Sequence, residues 1–241
     1  MKRSFAFAAL LIAHTSFAYI LPGDFLIGKL SEWRQNLKID ALKLESEWTI
    51  FPKGSDPAAY SVKEYLRAPY ERRIELESEK GTEITIWRGI DKWAKATGEK
   101  KWTKEKDKLP IEAVLFTGAP EPKTLLSTIK RLGVDIEKRR LDRLDGKVGF
   151  VIGAEKKGEK ANELWLDRRT FKPMRFIAFE EKGGKLYETD MRFSDYTSSV
   201  SGEWHPRMIE KYLNGALVER RELIDIKVNP NNLDPKLFTP E

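Results

Sequence analysis

From Ala41 onward the sequence alternates with period two. Leu42, Leu44, Trp48 and Ile50 fall on one side of the period, and Lys43, Glu45, Glu47 and Thr49 on the other. Alternation returns at 72–78, where Ile74 and Leu76 oppose Arg73, Glu75 and Glu77, and at 83–88, with Ile84 and Ile86 in step. Further strand signals lie at 60–67, 92–97, 148–152, 163–166, 174–179, 186–193, 205–213 and 217–228. Successive side chains of a strand point to opposite faces, so this pattern is that of antiparallel sheet with one wet face. Gly81, Gly89-Ile90-Asp91, Gly183-Gly184 and Asn214-Gly215 supply the turns. A sheet of about ten or eleven strands tends to curl.

Two segments follow the helical period instead. Leu21-Pro22-Gly23-Asp24 opens the first, with Asp24 as the expected N-cap. Its apolar stripe is Phe25, Leu26, Leu30, Trp33 and Leu37. The second runs from Pro122 to Gly133, with Leu125, Leu126, Ile129 and Leu132 as its stripe. Gly98 to Pro110 reads as a Lys-rich loop around Trp102, and 229–241 as a tail anchored by Leu233 and Phe238. No linker or fixed-period repeat appears. The layout is α+β, one domain over 19–241. Helices over the concave face of a curled sheet would enclose an apolar cavity.

The N-terminus has the layout of a secretory signal. Lys2 and Arg3 precede an apolar run from Ser4 to His14, and Thr15-Ser16-Phe17-Ala18 offers a cleavage site after Ala18. The run is shorter than the ~20 residues of a membrane span, and no later stretch approaches that length. The expected product is a periplasmic chain without a transmembrane segment. It has no cysteine, so it must hold together by packing. Without Lys2 and Arg3 the chain keeps 42 basic and 38 acidic residues, a net charge of +4. These are interleaved, as at Glu155-Lys156-Lys157-Gly158-Glu159-Lys160, and no nucleic-acid footprint is expected.

Catalytic constellations lack parts. His205 is the one histidine after the signal segment, and Pro206 beside it suggests an edge strand or a bulge. Without cysteine or a second histidine, the usual nucleophile and zinc sets cannot be assembled. The carboxylate pairs Glu180-Glu181 and Asp142 with Asp145 read as solvated, and there is no phosphate loop. The reading is a protein that is not an enzyme and uses neither cofactor nor metal. The tryptophans Trp48, Trp87, Trp93, Trp165 and Trp204 fall in strand segments, as ordinary core or as a cavity lining for acyl chains.

Four stretches carry a family resemblance: 65–73 (YLRAPYERR), 85–95 (TIWRGIDKWAK), 164–173 (LWLDRRTFKP) and 232–240 (NLDPKLFTP). In this order they resemble the periplasmic outer-membrane lipoprotein carriers and sorting proteins, the LolA-like family. The resemblance implies an unclosed antiparallel β-barrel with helices as a lid over a hydrophobic cavity. It implies binding of an acylated lipoprotein or lipid, and hand-over between membrane-associated donor and acceptor proteins. One position departs. The carrier has an Arg immediately before the Pro, which helps to hold the lid; here Ala68 stands there and Arg67 is one residue earlier. A one-residue slip reverses the face of a strand, so the role does not transfer. Arg88 is an alternative inward-facing Arg by alternation.

Alternation and resemblance together give the expected site. The lining comprises Leu42, Leu44, Trp48, Ile50, Ile74, Leu76, Ile84, Ile86 and Trp93, and the lid Phe25, Leu30 and Trp33. The alternative is a filled barrel acting as an envelope sensing or scaffolding module.

Overall fold

The structure is a computed structural model that describes residues 20–118, 120–196, 203–231 and 233–240. The expected signal segment and Asn232 lie outside the described residues. Thirteen strands form one antiparallel sheet. In chain order they are β1 (Ala41–Ile50), β2 (Ala58–Arg67), β3 (Glu71–Ser78), β4 (Gly81–Arg88), β5 (Asp91–Lys95), β6 (Thr103–Lys106), β7 (Arg139–Leu144), β8 (Lys147–Ile152), β9 (Glu163–Asp167), β10 (Pro173–Lys182), β11 (Lys185–Ser194), β12 (Met208–Leu213) and β13 (Ala216–Val228). The spatial order runs from β6 down to β1, then from β13 down to β7. Each strand thus pairs with its sequence neighbour, and β1 with β13 closes the middle. β6 and β7 are left as free edges, so the barrel is not closed.

The segment between those edges carries helices α2 (Ile111–Phe116) and α3 (Pro122–Arg131), while α1 (Gly23–Leu37) precedes β1. All three lie against the concave face. Leu26, Ile27 and Leu30 of α1, Val114 and Leu115 of α2, and Leu125 and Ile129 of α3 are fully buried. They share one core with Phe150, Ile152, Leu164, Leu166, Phe176, Met191 and Phe193 of the sheet. Each such side chain contributes roughly 1.5–3 kcal/mol on burial, so half of the concavity is solid. Gly23 is required where α1 meets Ile136, because a Cβ there would lie 2.2 Å from the Ile136 carbonyl oxygen. The turns at Gly183-Gly184 and Asn214-Gly215 take the positive φ their composition suggested, 58°, 71°, 50° and 80°.

Several expectations are corrected. Among the described residues the strand count is thirteen rather than ten or eleven, and there is a third helix. β6 lies within the expected loop; its four residues are all exposed and carry no apolar period. β7 was hidden because Arg140 occupies a buried position, where its guanidinium pairs with Glu163. Asp24 is not the N-cap of α1; Pro22 holds that position and Asp24 sits in the first turn. Trp204 and His205 precede β12, which starts at Met208 and lies between β11 and β13 rather than at an edge.

The tail packs on the convex face. Phe238 in the turn Pro235–Phe238 is 1% exposed. The Arg67 guanidinium lies 4.5 Å from its ring centroid, and Arg73 Nη1 donates to the Leu237 carbonyl at 2.9 Å.

Candidate functional site

The half of the concavity not filled by helices is a hollow of about 510 Å³, within the usual ~300–1,000 Å³ of ligand sites. Its wall steps from buried to exposed along each strand. On β3 the order is Arg72, Ile74, Leu76, and on β10 it is Phe176, Ala178, Glu180, Lys182. The floor is ionic, the middle apolar and the mouth polar. Trp48, Trp87, Leu109, Ile111 and Met191 complete the apolar band. A neighbouring hollow of about 360 Å³ shares Leu109, Leu132 and Asn162 with it.

The floor is a buried charge network. Glu112 of α2 accepts from Arg221 Nη1 at 2.7 Å and lies 3.2 Å from Arg72 Nη1. Arg72 Nε donates to Glu64 Oε1 at 2.8 Å, and Arg221 also pairs with Glu219. Both guanidinium groups lie near an indole ring: Arg221 is 4.0 Å from the Trp48 ring centroid and Arg72 5.4 Å from that of Trp87. Burial raises the Glu112 carboxyl, but Arg72 and Arg221 outweigh it and hold the group at about 2. Burial opposes the Arg221 charge, but Glu219, Glu112 and Glu64 raise its pKa on balance. Such a network costs desolvation energy and holds only while every partner is present. Arg72 Nη2 is buried and has no hydrogen-bond partner among the described residues.

Behind this floor α2 is clamped. Arg34 of α1 donates to the carbonyls of Val114 and Thr117, and to that of Gly118 at 3.1 Å. These are carbonyls at the end of a helix that has no further turn to use them. Burial lowers the Arg34 pKa to about 10, with Tyr70 partly offsetting it. His205 is buried between Phe116 and Trp204, with ring centroids 4.9 and 5.4 Å away, and burial lowers its pKa to about 4.

The expected lining is split by the structure. Trp48, Ile74 and Leu76 line the hollow. Leu42 and Leu44 lie on the same face but pack with Ala113 of α2 in a filled cluster. Ile50 is half-buried at the outer end of β1, opposite Glu219 and Ala58, and does not line the hollow. Ile84, Ile86 and Trp93 are misplaced by the alternation reading: they face the convex side. Thr85 and Trp87 are the residues of β4 that line the hollow, and their neighbours in sequence must point the other way. Ile84 borders a shallow recess under the C-terminal tail with Leu237. Of the expected lid, Leu30 is fully buried core, Trp33 is partly buried against it, and Phe25 is 44% exposed. Neither Arg67 nor Arg88 points inward. Arg67 covers Phe238, and Arg88 is exposed beside Glu71 at 3.3 Å. The inward arginines are Arg72 and Arg221. Arg72 was accessible to the alternation, being in step with Ile74 and Leu76. Glu112 was not, because a six-residue helix shows too little period.

Among the described residues there is no cluster of three or more His, Asp or Glu able to hold a metal, and no helix is long and apolar enough to cross a membrane.

No family model matches the sequence. No curated protein sequence matches it either. Solved structures do match. A LolA superfamily protein from Nitrosomonas europaea superposes with a TM-score of 0.59 at 14% identity, over 92% of this chain and 99% of that one. A DUF1329 family protein from Desulfovibrio piger gives 0.58 at 11% identity, over 90% and 95%. A domain from Vibrio parahaemolyticus assigned as an outer membrane lipoprotein-sorting protein gives 0.54 at 12%, over 87% and 95%. Thirteen antiparallel strands curled around three helices, with two edges left unpaired, therefore place this chain in the LolA-like fold.

Proposed function

We propose that this chain is a periplasmic lipid- or lipoprotein-binding protein, not an enzyme, that shelters acyl chain in the open half of its barrel. The observation that carries the reading is the hollow of about 510 Å³ walled by Trp48, Ile74, Leu76, Trp87, Phe176 and Met191. Burying a methylene there is worth ~0.8 kcal/mol, enough to hold a chain and still release it. The fold shared with a protein assigned to lipoprotein sorting supports the same reading. So does the signal-like N-terminus, which would deliver the chain to the compartment where such cargo travels. Donor and acceptor proteins at the two membranes would be its partners.

The solid half of the barrel favours a second reading, an envelope sensor or scaffold that uses its charged convex face. Native mass spectrometry of protein purified from envelope extracts separates the two. Bound lipid, together with uptake of a fluorescent acyl probe, is the result expected for a carrier. Absence of both, with capture of a protein partner, would turn the assignment to the scaffold.

A further inference from the structure

The floor of the hollow does not suit a plain hydrocarbon end. Arg72 is 4% exposed, and two of its three guanidinium nitrogens are engaged by Glu64 and Glu112. The third, Nη2, is buried without a partner among the described residues, in a side chain that lines the hollow. A buried charged donor left unsatisfied costs more than a neutral one. Nearby on β12, Lys211 also lines the hollow and forms no ion pair among the described residues. Lys211 is close enough to Glu112 to act on its carboxyl. Two cationic side chains therefore stand at the base of an apolar shaft, one with a buried N–H that lacks a partner and one without an ion pair among the described residues.

Size adds a second constraint. At roughly 30 Å³ per water-sized group, a hollow of about 510 Å³ holds on the order of 17 such groups. That accommodates one acyl chain with a small head, and is too little for the several chains of a fully acylated protein terminus.

We infer that the site takes a single-chain amphiphile with an anionic oxygen head, carboxylate or phosphate, seated head-inward on Arg72 Nη2 with Lys211 in support. Its chain runs outward past Ile74 and Leu76. The inference rests on the acyl-binding reading above and narrows its ligand.

The test is titration calorimetry on the delipidated full chain with four probes: hexadecanoate, hexadecanol, a 16-carbon lysophosphatidate and inorganic phosphate. Hexadecanoate or the lysophosphatidate is expected to bind about tenfold or more tightly than hexadecanol, since a charge-assisted hydrogen bond is made only by the anion. Arg72→Met, which keeps the side chain's bulk, is expected to abolish that preference while leaving the alcohol bound. Equal affinity of acid and alcohol for the unmodified chain overturns the inference and leaves the acyl-binding reading standing; this comparison needs no variant. A preference that survives Arg72→Met overturns the role of Arg72. Inorganic phosphate competing as well as the lysophosphatidate would make this a simple anion site. If none of the chain-bearing probes binds, the acyl-binding reading fails as well.

Discussion

Arg221 holds Trp48 and Glu112 at once: its guanidinium lies 4.0 Å from the indole centroid and donates to the carboxylate at 2.7 Å. One side chain from β13 thereby joins the wall of the hollow to the short helix that closes it from behind. Glu112 in turn separates two arginines that would otherwise repel. Glu112→Leu is expected to lower the unfolding free energy by about 3 kcal/mol, because it takes a shared carboxylate from two buried cations and leaves each with one partner, Glu64 or Glu219. Combining it with Arg72→Met and Arg221→Met is expected to cost less than the single change. Urea unfolding of both variants measures this. A single variant as stable as the parent would show the network to be idle.

Acid sensitivity follows from the same corner of the molecule. His205 has its pKa lowered from 6.5 to about 4 by burial, and Glu112 from 4.5 to about 2 by its arginines. In both cases the unfolded chain binds the proton more readily. Stability is therefore full above the unfolded pKa and falls as pH drops, through 6.5 to 4 for His205 and 4.5 to 2 for Glu112. Each group accounts for on the order of 3 kcal/mol across its window. His205→Gln is expected to flatten the loss between pH 6.5 and 4 and leave the lower one. Urea midpoints at half-unit pH steps would show it; an unchanged upper window would place its cause elsewhere.

The sheet was legible because most of its strands alternate cleanly, and β1 and β3 deliver Trp48, Ile74 and Leu76 to the face expected of them. Legibility failed where polar residues occupy buried positions. Arg140 in β7 and Glu112 in α2 are charged yet inward of the surface, since each has partners that arrive from distant sequence, Glu163 for the one and Arg72 and Arg221 for the other. No local pattern announces such pairs. The face of β4 and β5 was misjudged for a related reason. The tail turn with Leu237 and Phe238 packs on the convex side of β3 and β4, so Ile84 and Ile86 mimic an inward row, and Trp93 pairs in register with Ile86. Alternation reports which residues are covered, not which side of the sheet the cover lies on.

Arg34 tests whether α2 is held from outside itself. The helix is six residues long and its N-cap, Pro110, makes no side-chain hydrogen bond; alone it would not persist. Arg34 supplies donors to three carbonyls at its far end. Arg34→Met is expected to cost roughly 3 kcal/mol, as buried carbonyls lose their partners. Amide exchange should quicken across 111–118 more than in the strands. Uniform loss of protection over the whole chain would mean the clamp is not local.

A cavity-filling change separates the hollow from the core. Ile74 is 8% exposed and borders the open space, whereas Ile84, one position out of step with it in the β3–β4 register, lies on the convex side. An indole at position 74 has room to project into the hollow, so Ile74→Trp avoids most of the ~1–3 kcal/mol that overpacking a filled core costs. It is expected to weaken acyl-probe binding about tenfold, or 1.4 kcal/mol, with little change in Tm. Ile84→Trp, on the other face, is expected to leave probe affinity unaltered. Fluorescence titration of both variants alongside the parent gives the comparison. If the two changes weaken the probe equally, or only Ile84→Trp does, chain binding takes place somewhere other than between β3 and β10.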